Sequence, residues 1–251
     1  MPSRSDAESD VSLLRLQDDV DSDDLAPASR QEIVDHLTSM VLHPEYPCLG
    51  ARSVFNLDRA TVLVLDELGT EAAAQTLLRR LTDFARDTDL AAGFASLVAV
   101  FRGPNVGDER EFETLLWRQL ELLHAADEQP WDPAVSDDPA DPHFAFSVAG
   151  TAYFVVGLHP QASRIARRTP LPTLVFNLHA QFEELRESER FVRMRDMIRR
   201  RDTELQGSLN PMVTDHGSHS EARQYSGREV PASWAPPADL GEDVARPGTT
   251  S

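Results

Sequence analysis

Residues 143–158 read HFAFSVAGTAYFVVGL, and this stretch decides the fold. Two runs rich in aromatic and β-branched residues, His143–Val148 and Thr151–Leu158, flank Ala149-Gly150. That is the pattern of a hairpin, and a hairpin makes at least part of the sheet antiparallel. Downstream, Thr173–Asn177 reads as a further strand. Upstream, Thr61–Leu65 and Phe94–Phe101 do the same, the second stopped by Gly103-Pro104.

Helices lie between them. Ser29-x-x-Glu32 is a capping box, followed by Ile33, Leu37, Met40 and Val41 at helical spacing, with Pro44 and Pro47 as the stop. Thr70 caps a helix whose apolar face is Ala74, Leu77, Leu78, Leu81, Phe84 and Ala85. Asp108-x-x-Glu111 caps another, with Phe112, Leu115, Leu116, Leu120 and Leu123 on one side. Two more segments, roughly 179–187 and 189–206, follow the last strand. The expectation is an α+β single domain with a largely antiparallel sheet faced by helices.

Around this domain, 29–234, the ends differ. Residues 1–28 carry eight acidic residues against Arg4 and Arg15 alone, which predicts a disordered acidic tail. Residues 235–251 hold three Pro and two Gly and read as a flexible tail. The whole chain of 251 residues has a formal net charge of −18. That charge argues against nucleic acid as a partner, since a nucleic-acid binder needs a basic face. All 24 basic residues are Arg, which excludes Schiff-base and P-loop lysine chemistry. A single cysteine, Cys48, excludes a disulfide framework. The apolar runs fall far short of the ~20 residues that span a bilayer, and no secretory signal is visible at Met1–Asp10. The expected setting is the cytoplasm, away from any membrane.

The chemistry-bearing residues cluster late in the chain. From Arg164 to Arg201 there are ten Arg against five acids. Much of this suits a helix surface with paired charges. Arg164, Arg167 and Arg168 differ, because they follow the strand end Gly157-Leu158-His159-Pro160 at a spacing that shares one face of a short helix. Three such guanidinium groups suit a carboxylate or phosphate. His159 and His179 each sit just past a strand, where ligands and catalytic groups are common. His216-x-x-His219 has the spacing of a chelate without a third ligand nearby. Cys48, in Tyr46-Pro47-Cys48-Leu49-Gly50, is either a small buried hydrophobe or a thiolate. The fingerprints of serine hydrolases, dinucleotide-binding enzymes and P-loop NTPases are missing.

Several segments together resemble the YqcI/YcgG family. They are Tyr-Pro-Cys-Leu-Gly-Ala-Arg-Ser (46–53), Phe-Arg-Gly-Pro (101–104), Phe112-Glu113, Leu116-Trp117 and Leu123-His124. Trp131-Asp132-Pro133, Phe-Val-Val-Gly-Leu-His-Pro (154–160), Leu-Val-Phe-Asn (174–177) and Ser220–Arg228 continue the likeness in order. The sequence departs from the family pattern at Tyr46, Arg52, Leu178 and Ala235. The family includes haem-dependent N-hydroxylases of guanidine-bearing amino acids, among them the arginine hydroxylase of the D-cycloserine pathway and an N-hydroxylase of the guanitoxin pathway.

The resemblance implies an O₂-dependent oxidoreductase that binds haem b and hydroxylates a terminal guanidine or amine nitrogen of an arginine-like amino acid. It implies roles residue by residue. His159, His179 and Cys48 are the candidate axial ligands. Arg164, Arg167 and Arg168 would hold the propionates, and Phe144, Phe146, Tyr153 and Phe154 would wall the porphyrin. Glu113, Asp132 and Glu221 would take the substrate's cationic end, with Arg228 or Arg223 on its α-carboxylate. Electrons would come from outside, from a ferredoxin, a flavin reductase or a small reductant. Two other readings stand beside this one. The first is a haem carrier or sensor without turnover; the second is a protein-interaction module with no haem, using the arginine cluster as its interface.

Overall fold

The computed structural model describes Leu13, Gln17, residues 25–186, 189–212 and 219–238, and Leu240, without the side chains of 184–191. Strands β1 (Ala60–Glu67), β2 (Ser96–Gly103), β3 (Phe146–Val148), β4 (Thr151–Leu158) and β5 (Thr173–Leu178) form one sheet in the order β1-β2-β5-β4-β3. β1 and β2 are parallel, and the other three pairings are antiparallel. The predicted hairpin is present, with Phe146 opposite Tyr153 and Val148 opposite Thr151. Its first strand is shorter than expected. Residues 143–145 leave the sheet, and Phe144 makes only an isolated bridge to Ser136.

The helices are α1 (Arg30–Leu42), α2 (Leu49–Asn56), α3 (Glu71–Asp87), α4 (Glu109–Ala126), α5 (His179–Arg186) and α6 (Glu189–Gln206). Their starts follow local chemistry. The Ser29 hydroxyl accepts from the Glu32 amide while the Glu32 carboxylate accepts from the Ser29 amide. The Asp108 carboxylate accepts from the amides of Arg110 and Glu111, both at 2.8 Å. α2 is absent from the sequence expectation. Its N-cap is Cys48, whose sulfur accepts from the Ala51 amide at 3.4 Å.

Strand alternation divides the interior into two cores. Leu97, Ala99 and Phe101 of β2, with Leu174 and Phe176 of β5 and Tyr153 and Val155 of β4, face α3 and α4. Val98 and Val100 face the other way, onto Ile33, Leu37, Met40 and Val41 of α1. The sheet is therefore covered by helices on both sides, as an α+β domain requires. No described helix is long and apolar enough to cross a membrane.

Most of 1–24, and 241–251, lie outside the described residues. Where the two tails are described they pack against the domain. Leu13 and Leu25 are buried in the α1-side core. The Gln17 side-chain amide donates to the carbonyls of Ile165 (3.0 Å) and Arg168 (3.1 Å). At the other end, Ala238 and Leu240 join the α4-side core. Composition averaged over the tails hides these few apolar anchors.

Candidate functional site

The α4-facing positions of β4 run Tyr153, Val155, Gly157, and the next in the series is His159. Gly157 is needed here. A Cβ at this position would lie 2.6 Å from Phe112 Cε1, 2.8 Å from Leu116 Cδ1 and 2.8 Å from the Tyr225 carbonyl oxygen. The missing side chain lets α4 approach the strand, so Phe112 stacks on the His159 imidazole with centroids 4.2 Å apart. His159 is fully buried. Its backbone is held by its own N–H to the Arg167 carbonyl at 3.0 Å.

Neither ring nitrogen of His159 has a hydrogen-bond partner among the described residues. Burial, reinforced by the Arg167 charge, pushes its pKa down to about 4. The ring is therefore neutral at pH 7, with one donor and one lone pair enclosed and unused. A buried polar group left so costs about 1–3 kcal/mol, which an ion, a water or a catalytic role would offset.

The three arginines do not share one helix face. Residues 165–167 form a single 3₁₀ turn, and the side chains diverge from it. Arg164 is ion-paired with Asp202 and donates to the Ser208 hydroxyl (3.2 Å) and carbonyl (3.1 Å). Arg167 donates to the carbonyls of Gly157 (3.0 Å) and Gln224 (3.2 Å), and burial lowers its pKa. Arg168 Nε donates to the Ala162 carbonyl at 2.8 Å. The expected anion clamp is thus a set of internal braces around the His159 loop.

The rival ligands are placed elsewhere. β4 and β5 are antiparallel, with Tyr153 opposite Leu178 and Leu158 opposite Thr173, so His159 and His179 stand at opposite ends of the pair. At roughly 3.3 Å per residue they are about 20 Å apart and cannot share one metal. His179 Nε2 is 3.7 Å from a Glu221 oxygen and Nδ1 3.8 Å from a Glu183 oxygen. Cys48 packs with the α1-side core while Phe112, which stacks on His159, belongs to the α4-side core, and the Arg167 charge acts on both Cys48 and His159. Burial pushes its thiol pKa up, which keeps it protonated and a poor nucleophile. His216 lies outside the described residues, so the 216/219 pair cannot be placed.

The expected substrate carboxylates have internal partners. Glu113, buried, accepts from the Ser226 hydroxyl at 3.0 Å and from Arg228 Nε at 3.1 Å. Glu221 accepts from the Tyr225 hydroxyl at 2.6 Å. Asp132 accepts from the amides of Ala134 (2.9 Å) and Ala152 (3.0 Å) and pins the long loop to the hairpin. Arg223 donates to the carbonyls of Val230, Pro231 and Ala232. The expected porphyrin walls pack on one another. Phe144 and Phe154 both meet Tyr225, at 6.2 and 6.0 Å, Phe146 meets Trp131, and the Tyr153 hydroxyl donates to the Leu81 carbonyl at 3.0 Å.

Sequence reasoning missed the strap formed by Ser220–Arg228. Where β3 ends, the Tyr225 carbonyl accepts the Gly157 amide at 2.7 Å, and its hydroxyl accepts the Phe146 amide at 3.1 Å. Gly157 in mid-strand was the available signal, because a lone Gly there often marks a close backbone approach. Beside the strap a cleft of about 420 Å³ is lined by Gly107, Asp108, Gln161, Ser163, Arg228 and Glu229 among others. The Asp108 charge at its rim acts on His159.

The same segments set the chain's kinship. The sequence profile of the YqcI/YcgG family matches residues 37–239, which takes in the sheet, the strap and the His159 loop. The chain belongs to the YqcI/YcgG family. It is 26% identical over 189 residues to uncharacterized protein YcgG of Bacillus subtilis (strain 168), covering 72% of this chain and 75% of that one. It is 26% identical over 163 residues to uncharacterized protein YqcI of the same strain, covering 62% and 64%. No solved structure matches this YqcI/YcgG chain.

Proposed function

We propose that this YqcI/YcgG protein is a haem-dependent monooxygenase that hydroxylates a terminal guanidine or amine nitrogen of an arginine-like amino acid. The observation that carries the proposal is His159, fully buried, with neither ring nitrogen partnered among the described residues. A neutral imidazole in that state is the donor that a haem iron takes. His179 faces carboxylates and Cys48 is held as the thiol, so both rank behind it.

The donor set fits the group. Both nitrogens are enclosed, so the side chains around the imidazole edge would have to give way for iron to reach either one. When bound, haem b would supply O₂ activation, with electrons from an external donor. The chain's own residues would bind and orient the substrate. The cleft beside the strap has room for one amino acid. Asp108 and Glu109 would meet the cationic end, while Arg228, held by Glu113, would form the wall of the cleft. The enclosed surroundings of His159 would keep bulk water from the reacting nitrogen. A reducing cytoplasm is the setting proposed, where a lone thiol such as Cys48 stays reduced.

The interaction-module reading loses its support because Arg164 and Arg167 are engaged inside the domain. The test is turnover. Haem-loaded protein given arginine, a reductant and ¹⁸O₂ should yield an amino acid heavier by one labelled oxygen. Haem-loaded protein that leaves arginine and every other guanidine or amine tried unchanged, with no substrate-induced spectral shift, is a carrier or sensor instead.

A further inference from the structure

The two edges of the sheet are treated differently. On the β3–β4 side four backbone amides are capped by side chains or by the strap. Tyr225 takes the amides of Gly157 and Phe146, Asp132 takes that of Ala152, and Asp127 takes that of Ala149. On the other side lies β1, eight residues long and, among the described residues, paired only with β2.

The Arg59 carbonyl accepts the Ser96 amide, so the odd-numbered residues of β1 turn their backbone groups toward β2. Ala60, Val62, Val64 and Asp66 turn theirs outward. Of that outer row only the Val62 carbonyl has a partner among the described residues, the Arg30 guanidinium at 2.8 Å. Proteins blunt bare edges with charge, proline, bulges or a covering segment. Residues 60–65 (ATVLVL) carry no charge and no proline, and the register with β2 is unbroken through them. Leu57, 61% exposed, stands at the start of the same strand.

We propose that β1 pairs antiparallel with β1 of a second copy of this chain, joining the two sheets across a two-fold axis at Leu63. The strand's own chemistry selects this occupant. Outward-facing residues must meet outward-facing residues, and the register that uses all four sets Val62 against Val64 and Ala60 against Asp66. Leu63 then meets Leu63 as a non-hydrogen-bonded pair on the axis, and Thr61 meets Leu65. The ends are complementary in charge. Arg30 and Arg59 lie toward the start of the strand, and the exposed Asp66 and Glu67 end it. Antiparallel pairing brings each basic end to the partner's acidic end. Arg30 gives up the Val62 carbonyl to the partner's Val64 amide and is left beside the partner's acids.

The test uses the full-length chain. Sedimentation should give about 56 kDa, twice the 27.9 kDa chain. In a Cys48→Ser background, Leu63→Cys should form a disulfide-linked dimer under mild oxidation, because non-hydrogen-bonded pairs bring Cα atoms to about 4.5 Å. Thr61→Cys, which faces Leu65 rather than itself, should not. Val64→Pro removes an outward amide and leaves the β1–β2 ladder intact, so it should give a folded monomer by circular dichroism and sedimentation. A monomeric wild type at about 100 µM overturns the proposal. So does a dimer that survives Val64→Pro, or a Leu63→Cys protein that cross-links no better than Thr61→Cys. If Val64→Pro does not fold, the two cysteine variants decide.

Discussion

At the scale of single residues, His159 dominates. Its pKa falls from the ordinary 6.5 to about 4 on folding, mainly through burial. Between those values the unfolded chain binds a proton that the folded protein refuses, so stability falls as pH falls from 6.5 toward 4. Above 6.5 the contribution is constant. The full window is worth about 3 kcal/mol in the haem-free protein. In urea melts, His159→Phe should lose less stability between pH 7 and pH 5 than the wild type does. Equal losses would mean that the ring is accessible to protons. Gly157 makes a second prediction at this scale. Gly157→Ala puts a methyl into the contacts with Phe112, Leu116 and the Tyr225 carbonyl. It should destabilise by about 1–3 kcal/mol, as overpacking does. An unchanged urea midpoint would show that α4 and the strap can yield. The histidine's place just past a strand was legible in the sequence. Its lack of partners was not, because that depends on what α4 and the strap bring to it. The same holds for Arg164, whose partner Asp202 is 38 residues away.

At the scale of elements, caps and periodicity carried most of the information. Ser29, Thr70 and Asp108 start α1, α3 and α4 where their side chains can accept backbone amides. α2 escaped because Pro47-Cys48-Leu49-Gly50 has the composition of a turn, and a cysteine is an unusual cap. The Ser220–Arg228 strap escaped for a different reason. Polar, Gly-containing sequence reads as irregular, yet here Ser220, Glu221, Arg223, Tyr225, Ser226 and Arg228 each have a defined partner. Its two buried anchors are Tyr225 on Glu221 and Arg228 on Glu113. Tyr225→Phe leaves the Phe146 amide and one Glu221 oxygen without that hydroxyl, and should cost about 2 kcal/mol in urea melts. Glu113→Ala and Arg228→Ala should each cost about 3 kcal/mol, because each strands the partner charge. The double variant should cost clearly less than the sum. Additive losses in that cycle would show that the pair is not coupled.

At the scale of the whole molecule, the hairpin was enough to set the class, an α+β domain with a mostly antiparallel sheet. The order of the strands was out of reach. The strand–helix–strand order of β1, α3 and β2 suits a parallel pair, but nothing local says that β5 enters between β2 and β4. That order is what sets His159 and His179 about 20 Å apart and makes them alternatives, at roughly 3.3 Å per strand residue. It also leaves β1 as the bare edge. The central claim is haem ligation at His159, and its most direct test is the absorption spectrum of protein expressed with a haem precursor, as isolated and then reduced under carbon monoxide. The account predicts a Soret band near one haem per chain, kept in His179→Ala and lost in His159→Ala, with a reduced carbon monoxide band free of the red shift a thiolate gives. A folded, colourless wild type that also ignores added haemin, or a His159→Ala protein with an unchanged spectrum, would contradict it.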